Sequence, residues 1–466
     1  MNTPVSTLIG AINQEETKTA NGMPTLSGSL SNVVDLFFKI GASRGKDIIP
    51  AFSKAFNEDK NLALRVALWA RDIRGGTGER KLFRDILSYV VKTDVALAER
   101  LIPLIPELGR WDDMTVLFGT PLERQALRSI AAALNSGNGL CAKWMDRKGA
   151  NANKVRAYLK LTPKDYRKLL VGLTNVVETK MCAKDWDSIE FGKLPSVASA
   201  RYQTAFHKNA EAAYVAYKAG LVKGTEKINA GAVYPYDVLK SLKHGDETVA
   251  NAQWNALPNY MEGSTASILP LVDVSSSMNC AAGGSGSLTC MDVAVSLGLY
   301  ISERSPGIFK DAFITFHENP SLELLNGSLS DRYRQLSHAK WGGSTNLEMA
   351  FELILNSAVK HKIAPKMMPT HLMILSDMQF NVACRNSTES AHQMIKSMYA
   401  AAGYQLPNVI YWNINASSGV PVTYDQRGTA LVSGCSPAIL KSVLSAKHVT
   451  PEDIMLEAIM IDRYKF

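Results

Sequence analysis

The stretch ILPLVDVSSSMN, Ile268 to Asn279, ends an apolar run on an aspartate and follows it with hydroxyl side chains. Asp273, Ser275 and Ser277 alternate with Val274 and Ser276, so their oxygens can converge in a tight loop. Two more oxygen donors occupy comparable places. WGGSTNLE puts Thr345 in a glycine-loosened loop before a helix, and MILSDMQ puts Asp377 at the end of another apolar run. A core strand gains nothing from a carboxylate at its tip. A ligand site does, because in open α/β sheets ligands gather beyond the carboxyl ends of the strands. Two carboxylates and three hydroxyls, with neither imidazole nor thiolate, suit a hard divalent cation such as Mg²⁺. Neutral hydroxyls leave such an ion short of negative charge, so it readily accepts one further acidic oxygen from water or a partner. The competing role for these hydroxyls is to cap loops and helix starts.

The elements that must position these residues follow from texture. After about Tyr260 the runs ILPLVDV, DAFITFH, HLMILSD, NVIYWNIN and TALVSG read as short strands bounded by polar residues or glycine. Amphipathic segments such as CMDVAVSLGLYISER, NLEMAFELILNSAVK and STESAHQMIKSMYAA separate them. That alternation implies βαβ units, hence a doubly wound parallel sheet covered on both faces, over residues 263–466. From about Leu30 to Ala250 the pattern is helical instead. SNVVDLFFKIG opens on Ser/Asn and stops at glycine, and DKNLALRVALWARDIRGG sets Leu62, Val66, Trp69 and Ile73 on one stripe. GERKLFRDILSYVVK, DVALAERLIPLI and PLERQALRSIAAALN continue it. Helices of roughly 10 to 16 residues with short joints have the texture of a HEAT-like helix-pair solenoid over residues 26–262. Residues 1–25 are polar and are expected to be poorly ordered.

With 466 residues the chain exceeds one hydrophobic core, and 46% apolar with 20% charged residues describes a globular protein. No window approaches a membrane-spanning length and no secretion signal is evident at the N-terminus. The six cysteines are scattered without a CxxC pair, which points to reduced thiols in a cytoplasm and away from zinc. The formal charge of +8 is uneven. Met1 to Glu262 holds 36 Lys+Arg against 27 Asp+Glu, and the remainder holds 15 against 16. The excess of positive charge therefore lies in the helical part, which suggests a polyanionic partner there.

Two stretches concentrate that charge. In RDIRGGTGERKLFRDIL, Gly75, Gly76 and Gly78 loosen a helix connection flanked by Arg71, Arg74, Arg80, Lys81 and Arg84. Backbone amides at a glycine-rich helix start beside arginines make a phosphate seat; an ordinary pair of helix caps with solvated charges is the alternative. No Gly-Lys-Ser/Thr follows, so it is not a P-loop. KWMDRKGANANKVRAYLKLTPKDYRK holds nine Lys or Arg against two Asp, among them Lys143, Arg147, Lys148, Lys154 and Arg156. Trp144, Tyr158 and Tyr166 are interleaved, so phosphates and exposed bases are both addressed, although a charge run is as often a solvated face. ARYQTAFHKN adds Arg201 and Lys208.

The set Asp273, Ser275, Ser277, Thr345 and Asp377 resembles the metal-ion-dependent adhesion site of von Willebrand factor A domains. One departure is the serine between the glycines and Thr345, and Ser344 is a possible substitute for that threonine. A helical domain with RDIRGGTGERKLFR, then ELGRWDDM, then such a C-terminal domain resembles the TROVE proteins, the Ro ribonucleoprotein family. AKWMDRKG and ETKMCAKDWDSIEFGKLPSVASARY are similar to a bacterial, phage and plant Ro-like branch. The resemblance implies a helical ring closed by the A domain, with single-stranded RNA ends or small structured RNA held by its basic residues. It implies no catalysis. Consistent with that, there is no D-x-D-x-T, no H-E-x-x-H and no nucleophile elbow, and the eight histidines show no ligand spacing. The expectation is therefore a non-catalytic RNA-binding protein with a Mg²⁺ site for an acidic protein partner. The alternatives are a metal-dependent protein-interaction scaffold without RNA and, further off, a metal-dependent hydrolase.

Overall fold

Ser31 starts the first helix and Gly41 ends it in the computed structural model, which describes residues 16–244, 247–282, 288–316, 320–337, 345–382, 390–417, 419–446 and 448–466. The Ser31 hydroxyl accepts from the Val34 amide, supplying one of the donors that a helix start leaves orphaned. Asp59 does the same for helix Lys60–Arg71, accepting from the Leu62 amide at 2.9 Å. Helices Arg80–Thr93, Val95–Leu101 and Glu123–Asn135 follow, each burying an apolar stripe. The helical region continues to Glu247–Asn255. Most of its apolar side chains join one core shared with the rest of the molecule. Val177, Ile189, Phe191, Leu194, Phe206, Tyr214, Tyr217 and Val249 form a second, smaller core.

Before the first helix, β1 (Glu16–Lys18) pairs antiparallel with β2 (Pro24–Leu26). Residues 16–25 are thus ordered, which corrects the expectation for that part of the N-terminal segment; residues 1–15 lie outside the described residues. Tertiary contacts override the polar composition. The Thr19 hydroxyl donates to the Phe380 carbonyl at 2.6 Å, and Leu26 and Val420 bridge through their backbones.

After residue 267 the strands are β3 (Ile268–Asp273), β4 (Ala312–Phe316), β5 (Ser321–Leu324), β6 (His371–Ser376), β7 (Asn408–Asn413) and β8 (Thr429–Ser433). Their order in the sheet is β5-β4-β3-β6-β7-β8, with β5 antiparallel to β4 and every other pairing parallel. Every residue of β3 and β8, and all but the first of β6 and β7, is buried. Strands buried on both faces need helices above and below them, which is why they read as unbroken apolar runs. Only β5 alternates: it is an edge strand with Leu322 and Leu324 exposed. From β3 the chain crosses to β4 on one side, and from β6 it crosses to β7 on the other. The carboxyl ends of β3 and β6 therefore border the switch point where such sheets hold ligands.

The two parts meet at several places. Helix Asn32–Ile40 packs against β8. There Ser433 donates to the Phe37 carbonyl at 2.8 Å and accepts from the Gly41 amide at 3.1 Å. Helix Pro451–Ile459 packs on Lys60–Arg71, and Arg463 and Tyr464 both donate to the buried Asp72 carboxylate. Burial raises the Asp72 pKa, but these donors and the Arg74 amide hold it below the usual carboxylate range. At the far end of the helical region, helix Pro235–His244 packs on Cys290–Arg304, and the Trp254 indole donates to Glu303 at 2.8 Å. The segment after the first helix also approaches helix Pro235–His244. Arg44 pairs with Glu79 at 2.8 Å and hydrogen-bonds the buried Tyr236.

Gly76 illustrates how tightly this junction is built. A Cβ there would lie 1.7 Å from the Trp69 carbonyl oxygen, which sits in the backbone of a packed helix. Gly76→Ala is expected to cost about 1–3 kcal/mol through forced displacement of that helix end. An unchanged denaturant midpoint for the variant would contradict the close approach.

Candidate metal centre

β3 ends on Asp273, whose side chain is fully buried. One carboxylate oxygen accepts from the Ser275 amide at 3.0 Å and the other from the Ser376 hydroxyl at 2.6 Å. The Ser275 and Ser277 hydroxyls lie 3.0 Å apart, and Ser277 in turn hydrogen-bonds the Asp377 side chain. Asp377 follows the last residue of β6 and accepts from the Gln379 amide at 3.1 Å. Met378 between them takes φ +63°, a left-handed conformation that costs a side-chain-bearing residue roughly 1–2 kcal/mol. That turn folds the loop back, so that the Asn381 amide donates to the Thr345 carbonyl at 3.0 Å. Thr345 is buried beside the Asp377 loop; Ser344 lies outside the described residues. Asp273, Ser275, Ser277 and Asp377 are thus joined by contacts between neighbours, and Thr345 is tied in through its backbone. Ser277 is exposed while Asp273 and Ser275 are buried, so the cradle opens on one side.

This cradle is electrostatically incomplete. Burial, and then the Asp377 charge, push the Asp273 carboxyl up to about 7, against the opposing hydrogen bonds of Ser376 and Ser275. Burial also raises Asp377, opposed by the Gln379 amide, Ser277 and Lys46. Lys46 comes from the helical region and donates to the Asn415 side chain at 3.1 Å and to the Asn415 carbonyl. Two buried carboxylates side by side ordinarily need a cation or a proton. A hard divalent ion meets that need. Among the described residues no group of three or more His, Cys, Asp and Glu side chains is placed to hold a metal, so a cation here would have to draw on hydroxyls as well as the two carboxylates.

A pH dependence follows. In the metal-free protein the folded-state pKa of Asp273 lies above its ordinary 3.8, so this group's contribution to stability falls as pH rises from about 4 to about 7. A cation must displace that proton. Mg²⁺ affinity is expected to rise roughly tenfold per pH unit between about pH 5 and 7 and to level off above. Titration calorimetry in buffers of different ionisation enthalpy reads the released proton. Affinity flat across that window would contradict the linkage.

The basic residues are placed differently. In the glycine-rich connection the Gly76 and Gly78 amides both donate to the Asp72 carbonyl, and the Glu79 amide donates to the Ala70 carbonyl. The loop is closed on itself, so these amides are not turned outward as a phosphate seat requires. Arg71 is buried and pairs with Asp113 at 2.7 Å, and Arg84 pairs with Asp112 and Asp113 at 2.8 and 2.6 Å. Lys81 pairs with Asp85 and Lys154 with Glu123. Arg74, Arg80, Arg147, Lys148, Arg201 and Lys208 are exposed, whereas Lys143 and Arg156 are partly buried. Arg156 donates to Asn153 at 3.0 Å. Burial, and then the neighbouring Arg110 and Arg84 charges, lower the Arg80 pKa against the pull of Asp112 and Asp113. Of the interleaved aromatics, Tyr166 is buried and donates to the Asp146 carbonyl, and Arg110 lies 3.5 Å from the Trp144 ring centroid. Only Tyr158 is exposed, which corrects the expectation of three stacking platforms.

Residues 267–462 match the family model described as Domain of unknown function (DUF7788). Residues 19–94 and 124–265 match Domain of unknown function (DUF2828). The chain is also 30% identical over 504 aligned positions to "Uncharacterized protein L728" of Acanthamoeba polyphaga mimivirus, covering 95% of this chain and 86% of the viral one. The chain belongs to the family of that viral protein. In this member of the L728 family, no helix among the described residues is long and apolar enough to cross a membrane.

Three contributors to the candidate site of this L728 relative carry little or no sequence signal. Ser376 reads as the last residue of an apolar strand, yet its hydroxyl anchors Asp273. Lys46 is remote in sequence from Asp377, and Asn381 acts through its backbone. A serine directly before a strand-end aspartate was the one available hint.

Proposed function

We propose that the protein is a non-catalytic, Ro-like RNA-binding protein with a metal-dependent contact site in a von Willebrand factor A-like domain. Asp273, Ser275, Ser277, Thr345 and Asp377 would hold Mg²⁺ or another hard divalent cation. When bound, the ion supplies a Lewis-acidic position for a carboxylate or other acidic oxygen of a protein partner. The observation that carries the reading is a fully buried carboxylate, Asp273, raised to about 7 at the switch point beside Asp377 and two hydroxyls. Asp273 and Asp377 are oriented by the Ser376 hydroxyl and the Ser275 and Gln379 amides, donors that hold a carboxylate in place and do not relay a proton, which favours binding over turnover.

The helical part is the RNA-binding element in this reading. Support comes from the approach of Arg44, just after the first helix, to Tyr236 of helix Pro235–His244 near the far end of the helical region, as a closed ring requires. The exposed Arg147, Lys148, Arg201 and Lys208, with Arg156 and the Arg80 cluster, provide its positive field. Binding of a labelled single-stranded oligonucleotide should fall steeply with salt and weaken on charge reversal at Arg147, Lys148 and Arg156. No binding at low salt would remove RNA from the account.

A second reading is a metal-dependent protein-interaction scaffold without RNA. It is favoured by the inward-turned amides of the glycine-rich loop and by the covered faces of Trp144 and Tyr166. The two separate cleanly. If Asp273→Ala abolishes capture of a protein partner and the charge reversals change nothing, the scaffold reading stands.

A further inference from the structure

Cys280 and Cys290 are ten positions apart, and the structure puts their sulfurs 3.4 Å from each other, in hydrogen-bonding contact. The backbone holds them there. The Cys290 amide donates to the Cys280 carbonyl at 3.0 Å, Ala281 and Thr289 bridge antiparallel, and the Ala282 amide donates to the Leu288 carbonyl at 2.8 Å. Two thiols on a clamped antiparallel pair need only a small side-chain rotation to reach bonding distance. Cys290 is anchored on the other side as the first residue of helix Cys290–Arg304, with its sulfur also near the Ile414 carbonyl. Cys280 is partly exposed and Cys290 is buried, so one sulfur meets solvent and the other waits behind it. The arrangement is that of an attacking and a resolving thiol.

We propose that Cys280 and Cys290 form a reversible disulfide on exposure to hydrogen peroxide, making this turn an oxidation site. The Cys280 thiolate attacks one peroxide oxygen; the O–O bond breaks, hydroxide leaves, and Cys280 becomes a sulfenic acid. The Cys290 sulfur then attacks that sulfur, the S–O bond breaks, and the hydroxide leaves as water with the Cys290 proton. Two thiols lose two electrons and one peroxide becomes two waters. A thiol reductant reverses the bond by exchange. Cys280 is the sulfur that meets solvent, which agrees with its being the first to react. Cys280 lies three residues after Ser277, so oxidation would fasten the end of the turn that carries that hydroxyl.

This inference stands apart from the metal and RNA readings, and its test needs neither. The full chain is treated with micromolar hydrogen peroxide, quenched with an alkylating agent, digested without reduction and mapped by mass spectrometry. The exposed Cys182 serves as an internal control for the reach of the oxidant. The expected result is a linked Cys280–Cys290 peptide pair that dithiothreitol releases and that is absent from Cys290→Ser. In Cys290→Ser, Cys280 should instead accumulate as sulfenic acid trapped by dimedone. Two results would overturn the proposal: Cys280 and Cys290 remaining alkylatable after treatment while Cys182 oxidises, or Cys290 linking to Cys435 in place of Cys280.

Discussion

Replacing Asp273 with alanine is expected to abolish saturable Mg²⁺ or Mn²⁺ binding. Loss of even an outer partner of a metal ligand costs 10–100-fold, so removal of one of only two carboxylates should cost at least about 100-fold. The same position predicts an opposite effect on the metal-free fold. Asp273 is buried and accepts from Ser275 and Ser376, and its charged form is disfavoured by burial and by Asp377. Asp273→Asn removes that charge while keeping an acceptor, so at about pH 8 the metal-free variant should be no less stable than the parent. Thermal unfolding with and without Mg²⁺ separates the effects: the parent midpoint rises with the ion and the Asn variant's does not. A variant that loses stability without metal and still responds to Mg²⁺ would assign Asp273 a purely architectural role.

Asp113→Ala is expected to destabilise the protein by about 3–5 kcal/mol, because it strips the partner from a buried guanidinium. Asp113 is fully buried and accepts from Arg71 at 2.7 and 2.8 Å, from Arg84 at 2.6 Å and from the Arg110 amide at 3.0 Å. Arg71 is itself only 4% exposed, so water cannot replace the lost carboxylate. The pair therefore ties helix Lys60–Arg71 to Arg80–Thr93 and to the Trp111–Leu117 segment. Pairing Asp113→Leu with Arg71→Met should recover much of the loss, since apolar isosteres of a buried ion pair are often neutral. Equilibrium denaturation measures both. A loss below about 1 kcal/mol for Asp113→Ala would place the pair with solvent-exposed bridges instead.

What the sequence made legible depended on whether the signal was local. The five apolar runs after residue 267 are β3, β4, β6, β7 and β8, because strands buried on both faces carry their burial in composition. Strand β5 was missed: Ser321–Leu324 is short, alternating and half exposed, which resembles a loop. The β1–β2 hairpin was missed because contacts with Phe380 and Val420, far away in sequence, order it. The oxygen cradle was legible where the spacing is local, as in Asp273, Ser275 and Ser277, and where Asp377 ends an apolar run. Ser376 and Lys46 were not, since nothing in the sequence says that their side chains turn toward the same point. The glycine-rich loop misled for the same reason. Its arginines and glycines look available for phosphate, but Asp112 and Asp113 pair with Arg71 and Arg84, and the Asp72 carbonyl takes the Gly76 and Gly78 amides. The cysteine pair was invisible because a spacing of ten is not a motif; only the antiparallel turn brings the sulfurs together.

The most direct test of the metal-binding claim is anomalous diffraction from crystals of the full chain grown with millimolar Mn²⁺. The account predicts one strong peak beyond the carboxyl ends of β3 and β6, within bonding distance of side-chain oxygens from the set Asp273, Ser275, Ser277, Thr345 and Asp377. Anomalous density confined to surface carboxylates elsewhere, with those five side chains well ordered and none bonded to the ion, would contradict it.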